Sequence, residues 1–494
     1  MPATSSSSTA VVASTDLAAA QSGESTPPPS PRTSRPISGP TVALVVAALL
    51  VSGAAYAFQR SSPDLPAAAY DEFALSDAAE VTTPPLPALG PVTIPLADAA
   101  AQATIDRLTV DTATKASPGQ LTLLARLLLQ RAAVTGDADT YARATNALDR
   151  AVDLAPADLD VRSQRAAARL TVHDFPGAAR DAARVLAARP DDLGALGASY
   201  DAAYETGDYT LAEARLARLV MLAPSAPQVL VRQARWEALH GSATAAANLA
   251  ARSRVEAASS GAVGTARATY DLVAGKLALD EGRYDAALGD YESALVAAPG
   301  WHAALVGLGR ARAASGDFVG AEQALAQAAD LVPLPDTLSA LGDVRTALGD
   351  LPGAADAYGT VDVVARLDAV QQLFNRSVVL SRADRGVDTA AAVAEARSEL
   401  KVRRDVYGYD ALGWALLADG QVEAAARAAD RSLALGTLDP RLLAHAGLAH
   451  AEAGDPTRAR QLLSQAIDLS PTGDPTLMAR VRTALAQLPS GATR

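Results

Sequence analysis

An all-α solenoid of about ten stacked helix pairs is the fold this sequence predicts, and three observations predict it. The segment from Gly282 to Pro299 (GRYDAALGDYESALVAAP) is copied by its successor: Gly309, Gly316, Ala321, Ala328 and Pro333 stand one 34-residue period after Gly275, Gly282, Ala287, Ala294 and Pro299. The period extends in both directions, since Pro156, Pro190 and Pro224 are 34 residues apart, as are Gly420 and Gly454. The composition agrees: 494 residues are too many for one compact core, and 49% hydrophobic with 4% aromatic residues describes helices built on Ala and Leu.

Taken in order, residues 1–40 are rich in Ser, Thr, Pro and Ala (STPPPSPRTSRP) and are expected to be a disordered tail. Residues 41–58, TVALVVAALLVSGAAYAF, form an uncharged apolar stretch at the lower length limit for a bilayer-spanning helix. Arg32 and Arg35 precede it while Arg60 is followed by Asp64, Asp71 and Glu72, so the charge bias expects a single-pass bacterial membrane anchor with a cytoplasmic N-terminus and an extracytoplasmic solenoid. A cleaved signal segment is the alternative, because Ala55-Tyr56-Ala57 fits a small-x-small cleavage pattern and the protein would then be secreted. Residues 59–119 read as a Pro-rich linker around TTPPLPALGPVTIP, with a short helix expected from Ala97 to Leu108.

The repeats are expected over residues 120–471. In each unit a first helix, A, ends at a glycine turn: Gly136-Asp137, Gly207-Asp208, Gly282-Arg283, Gly316-Asp317, Gly349-Asp350, Gly420-Gln421 and Gly454-Asp455. Glycine there supplies the left-handed cap of helix A, and the aspartate caps helix B. Ala144, Ala178, Ala212, Ala246, Ala287, Ala321, Ala354, Ala425 and Ala459 share one register where A and B must approach closely, faced by Gly309, Gly342, Gly413 and Gly447. Proline after each helix B stops it and sets the turn into the next unit. Two units depart: the fourth carries extra residues around VEAASSGAVGTAR, and the eighth, Arg366 to Val402, lacks the proline and turns at Arg385-Gly386. Residues 472–494 hold an amphipathic capping helix, Pro475 to Leu488, and a tail.

Together these marks resemble the tetratricopeptide repeat family over roughly 350 residues. TGDADTYARATNALDRAVDLAP near the start and LKVRRDVYGYDALGWALLADGQVEAAARAADRSLALGTLDPRLLAHAGLAHAEAGD near the end are similar to segments of exported or membrane-anchored bacterial members. The resemblance implies a right-handed α-α superhelix and a non-catalytic scaffold whose groove binds a protein or peptide. The sequence departs from the family where A and B meet, with Ala or Leu standing where Trp or Tyr is usual.

The rest of the sequence narrows the chemistry. The net charge is −12 and Lys115, Lys276 and Lys401 are the only lysines, so no nucleic-acid partner is expected. Without cysteine there is no disulfide, thiolate zinc site or cysteine nucleophile. His173, His240 and His302 lie in different repeats; His445 and His450, five residues apart, point away from each other on a helix, so no metal is expected. No phosphate-binding loop, GxSxG elbow, HExxH or dinucleotide fingerprint occurs, and neither catalysis nor a cofactor is expected.

What remains is the groove. Its central helix A position is filled, from the second unit onward, by Ala167, Asp201, Arg235, Lys276, Arg310, Asp343, Leu380, Trp414 and Leu448. Tyr204, Tyr407 and Asp410 are expected on the same wall. Arg235, Lys276 and Arg310 form a three-step cationic ladder suited to an acidic segment of a partner, with Asp201 and Asp343 bounding it and Tyr407 and Trp414 offering an apolar contact. The function expected is a membrane-anchored interaction scaffold; the alternative is a cleaved accessory factor that assists assembly of an envelope complex, and an enzyme is the less favoured third.

Overall fold

The computed structural model describes residues 99–135, 137–371 and 375–489. The chain divides into two compact units, residues 1–42 and 43–494, and every described residue lies in the second. The tail expected at 1–40, the apolar segment 41–58, most of the linker and Gly136 fall outside the described residues.

All described secondary structure is helical. A leading helix, α1 (Ala99–Thr114), is followed by ten A/B pairs. Units 1 to 3 are α2 (Pro118–Thr135) with α3 (Ala138–Leu154), α4 (Leu159–Thr171) with α5 (Phe175–Ala188), and α6 (Leu193–Thr206) with α7 (Tyr209–Leu222). Units 4 to 6 are α8 (Pro227–Leu239) with α9 (Ala243–Ser259), α10 (Gly264–Asp280) with α11 (Tyr284–Ala297), and α12 (His302–Ala314) with α13 (Phe318–Leu331). Units 7 and 8 are α14 (Pro335–Ala347) with α15 (Leu351–Gln371) and α16 (Arg376–Arg385) with α17 (Thr389–Glu399). Units 9 and 10 are α18 (Val406–Ala418) with α19 (Val422–Ser432) and α20 (Pro440–Glu452) with α21 (Pro456–Leu469); the last helix is α22 (Pro475–Gln487). The architecture is the tetratricopeptide-like α-solenoid that the repeat period predicts.

The turn chemistry is that of the sequence. Asp174, Asp317, Asp350 and Asp455 each accept a hydrogen bond from the backbone N–H three residues on and so cap helix B. Helix B ends on the residue before a proline at Ala155, Arg189, Ala223, Ala298 and Val332, whose φ values of −130 to −146° place them outside the α region, as the pyrrolidine ring requires. Unit 8 keeps the Gly386 turn but has the shortest pair, 10 and 11 residues, and Asp388 stands at φ 47° where no glycine is available. The helix expected at Ala97 to Leu108 runs instead from Ala99 to Thr114 and buries Ile105 and Leu108 against the first unit.

The alanine register is fully buried: Ala144, Ala178, Ala212, Ala246, Ala287, Ala321, Ala425 and Ala459 are 0% exposed. A β-carbon on Gly309 would collide with the Leu325 side chain and crowd the Ala321 carbonyl. Ala321→Leu therefore adds volume where neither helix can retreat; a loss of about 1–3 kcal/mol is expected on chemical denaturation, and an unchanged midpoint would mean that A and B are not in contact there.

The array also closes on itself. The A/B turns of units 3 to 6 meet the loops that precede helix A of units 9 and 10 and α22. Arg404 donates its backbone N–H to Thr206, and Val406 to the Tyr209 hydroxyl. Arg403 reaches Glu205 at 2.8 Å. Tyr284 binds Ser470 and the N–H groups of Thr472 and Gly473, while Thr472 bonds the Ala314 carbonyl. The pairs made by units 3 and 5 are 186 to 198 residues apart, just under six repeat lengths, and Ala314 and Thr472 are 158 apart, so one circuit of the solenoid brings the chain back onto itself.

Gly207 is where that closure is tightest. It has φ 80°, and a β-carbon there would overlap the Arg404 carbonyl. Gly420 has φ 74° and open space around it. Alanine at either costs about 1–2 kcal/mol of left-handed strain, but Gly207→Ala is expected to cost more and to raise amide exchange selectively at Arg404. Equal losses at the two sites would show that the turn does not carry the closure.

The expected single-pass topology is corrected. Among the described residues no helix is long and apolar enough to cross a membrane, and residues 41–58 lie outside them. The extracytoplasmic placement built on that segment is withdrawn.

Candidate functional site

Closure encloses a cavity of about 290 Å3 between the A helices of units 5 to 10 and α22. It is lined almost wholly from helix A because in a stacked helix pair the A face turns inward while B covers the outside. Its wall carries three cations, Lys276, Arg310 and Arg441, against six carboxylates, Asp280, Asp336, Asp343, Asp384, Asp439 and Asp474.

Two of the cations already hold carboxylates of the chain. Lys276 Nζ lies 2.5 Å from Asp280, and Arg310 lies 2.6 Å from Asp336. Enclosure favours a neutral Asp336, but the Arg310 charge outweighs it and holds the carboxyl below its usual range. Arg441 lies 3.9 Å from Asp410, which also binds His445 Nδ1 at 2.9 Å.

Asp343 and Asp384 have no such cation. Asp343 accepts from the Tyr358 hydroxyl at 2.7 Å, and Asp384 from the Trp414 indole N–H at 2.7 Å. Enclosure by the chamber walls, and then the neighbouring Asp474, push Asp343 up to about 7. Asp384 is raised as well, by its enclosure and by Asp474, against the pull of His445 and the indole N–H. Between them, Ser339 Oγ and Ser381 Oγ have no hydrogen-bond partner, although Ser381 is only 2% exposed.

The residues singled out in the sequence divide into three places. Lys276, Arg310, Asp343 and Tyr407 line this chamber, with Leu380 beside them. Arg235, Asp201 and Tyr204 stand in another cluster: Arg235 pairs with Glu205 at 2.9 Å and lies over the Tyr204 ring, and Asp201 pairs with Arg232. Burial pushes Glu205 up, but Arg235 and Arg403 outweigh it and keep the carboxylate charged. Trp414 and Asp410, both 2% exposed, sit behind the wall.

Two expectations are therefore corrected. The central helix A position is not an exposed row, because Ala167, Trp414 and Leu448 are buried. The three cations are not a free ladder either: each is bound to a carboxylate of its own chain, and Arg235 is not in the chamber with the other two. Asp384, Asp474 and Arg441 carry no expectation from the sequence, and His445 is weighed there only as a metal ligand. One signal was present, since Asp410 and His445 stand one repeat apart, with Arg441 one turn before His445 on the same helix.

Among the described residues no group of three or more His, Cys, Asp or Glu is arranged to hold a metal ion. The tetratricopeptide repeat family profile matches residues 272–334 and 411–474. No curated protein sequence matches the chain significantly. Similar solved structures include PilW, a widely conserved type IV pilus biogenesis factor, at 17% identity over 42% of this chain and 92% of that one, with a TM-score of 0.36. Human IFIT1, as a dimer with PPP-AAAA, is 13% identical over 75% of this chain and 94% of that one, with a TM-score of 0.42. The APC/C hetero-tetramer Cut9-Hcn1 gives 14% identity over 77% of this chain and 93% of that one, with a TM-score of 0.29. None of these likenesses carries a ligand across to this chain. The chain carries tetratricopeptide-like repeats stacked as an α-solenoid.

Proposed function

We propose that this scaffold captures a partner protein by taking a short segment of it, one or two side chains deep, into the chamber formed by units 5 to 10 and α22. The observation that carries the reading is the cavity itself: about 290 Å3, lined by charged and unpaired polar groups that a folding core would have excluded. Ligand pockets run upward from roughly 300 Å3, so the space suits inserted side chains rather than a folded domain. Asp343 and Tyr407 are its contact residues on this reading, while Lys276 and Arg310 line the cavity already paired with Asp280 and Asp336. Trp414 and Asp410 stand behind its wall, and Arg235, Asp201 and Tyr204 belong to the separate cluster around Glu205.

An acidic partner segment, expected from the cationic ladder, has less in its favour once Lys276 and Arg310 are paired and carboxylates outnumber cations around the cavity. The reading as an accessory factor that assists assembly of a larger complex rests on the chamber alone and needs no membrane-spanning helix; it is the one we keep.

Leu380→Trp tests the proposal without altering charge, since the indole fills the cavity from helix α16. In parallel affinity purifications the wild-type chain is expected to retain a protein that the variant loses. Equal recovery with a variant of unchanged melting temperature would place partner binding elsewhere on the solenoid.

A further inference from the structure

The chamber is asymmetric in a way that names its ligand. On the side of units 5 and 6, Lys276 and Arg310 are satisfied by Asp280 and Asp336. On the side of units 7 and 8 and α22, Asp343, Asp384 and Asp474 converge, and among the described residues no cation forms an ion pair with any of them. Asp384 and Asp474 are exposed to the water of the chamber, so they stay within reach of a ligand. A cluster of carboxylates alone is a common surface feature. Here a second, independent observation accompanies it: Ser381, 2% exposed and lining the same cavity, has a hydroxyl with no hydrogen-bond partner, and Ser339 on the neighbouring helix α14 has another. Buried hydroxyls are ordinarily satisfied. Both serines can accept from an N–H donor while the carboxylates supply the opposite charge.

We infer that the chamber of this scaffold is a receptor for a cationic side chain, a lysine or arginine of a partner protein, held by Asp343, Asp384 and Asp474 with hydrogen bonds to Ser339 and Ser381. The inference rests on the proposal that partners bind in this chamber and adds the chemistry of what enters. An ammonium or guanidinium has three to five donors and no acceptor, which matches a wall of carboxylates and free hydroxyls. A carboxylate entering the same space would meet a cluster of carboxyl groups and raise their proton affinity further, so discrimination comes from repulsion as much as from attraction. Arg310 and Lys276, neutralised by their own partners, neither compete for the carboxylates nor repel the ligand strongly.

The test is a peptide array of immobilised decapeptides, basic, neutral and acidic, probed with the full chain, with Asp343→Asn/Asp384→Asn, with Lys276→Ala/Arg310→Ala, and with Leu380→Trp. Asparagine keeps an acceptor for Tyr358 and for the Trp414 indole, and both doubles are checked by melting. The expected result is retention of lysine- or arginine-containing peptides by the wild type, weakened at least tenfold in the Asn double variant and in Leu380→Trp but less than threefold in the Ala double variant. Retention of acidic peptides, lost in the Ala double variant and in Leu380→Trp, overturns the inference while leaving chamber binding intact. Peptide retention unaffected by Leu380→Trp overturns chamber binding itself. No preference for basic over neutral peptides in the wild type also overturns the inference. If the Asn double variant fails to fold, the wild type alone decides: spermidine in the millimolar range is expected to compete off basic peptides, and no competition counts against the site. Spermidine that raises the melting temperature of a wild type retaining no peptide assigns the site to a free polyamine and overturns the partner-side-chain reading.

Discussion

Trp414→Ala is expected to be the most damaging single substitution in the second half of the array, with a loss of about 3–5 kcal/mol. The side chain is 2% exposed and touches three elements besides its own. It stacks on His445 of α20, ring centroids 4.0 Å apart and planes 11° from parallel, while the Arg480 guanidinium of α22 lies 4.5 Å from the indole centre on α18. Its N–H binds Asp384 of α16. Unit 8, unit 9, unit 10 and the last helix are thus joined through one residue, where most positions in a solenoid contact only the adjacent unit. Truncation leaves a cavity in a core cluster rich in alanine, Ala411, Ala415 and Ala444 among its members, whose short side chains cannot expand to fill it. It also removes the donor that Asp384 uses. Trp414→Phe separates these effects, because it keeps most of the ring area and removes the indole N–H; about 0.5–1.5 kcal/mol is expected from the lost hydrogen bond, since water can reach the exposed Asp384. Chemical denaturation followed by circular dichroism reads both. If the alanine variant unfolds at the wild-type midpoint, the indole is not the junction its contacts indicate.

The same residue shows how far the sequence could be read. Period, turns and the alanine register are local features, each set by a glycine, proline or alanine within one unit, and the chain repeats them through most of its ten units. Trp414 was placed in the correct helix and on the inner face, yet expected to offer an open apolar contact. What buries it comes from His445, one unit on, and from Arg480 in the last helix. Closure lay beyond reach for the same reason. Tyr284 and Ser470, or Glu205 and Arg403, are nearly six units apart, and the superhelical path that brings them together accumulates from small rotations that no single repeat encodes visibly. The ladder of Arg235, Lys276 and Arg310 was a correct reading of register and an incorrect reading of charge. Equivalent positions were counted, but Glu205, Asp280 and Asp336, which neutralise them, stand at other positions of the same wall. Composition also held the corrective hint: in a chain of net charge −12, an inner wall of free cations is the less economical arrangement than one of paired cations with carboxylates to spare.

Asp343→Asn is expected to stabilise the protein at pH 8, and the sign follows from proton linkage. In the unfolded chain this carboxyl titrates near 3.8, whereas in the fold its enclosure and the charge of Asp474 push it up to about 7. Between those values the folded state holds a proton that the unfolded state has released, so the folded form is favoured at low pH and that advantage is lost as pH rises through 7. The groups that face Asp343 are Asp474 at the start of α22, Asp384 on α16, Tyr358 on α15 and Arg310 on α12; the Tyr358 hydrogen bond and the Arg310 charge favour the charged form, and enclosure with the two carboxylates outweighs them. A shift of this size bounds the effect at about 4 kcal/mol, and water in the chamber reduces it to roughly 2 kcal/mol. The wild type should therefore gain stability relative to Asp343→Asn between pH 8 and pH 5, with the asparagine variant the more stable of the two at pH 8. Melting temperatures of both proteins across that range provide the measurement, and a variant that is less stable at pH 8 would show that the charged carboxylate is already compensated within the fold. A bound ammonium supplies the missing compensation. Basic peptide added at pH 6 should then release a proton from the wild-type protein and none from Asp343→Asn, a difference that calorimetry in two buffers of unlike ionisation enthalpy reads directly.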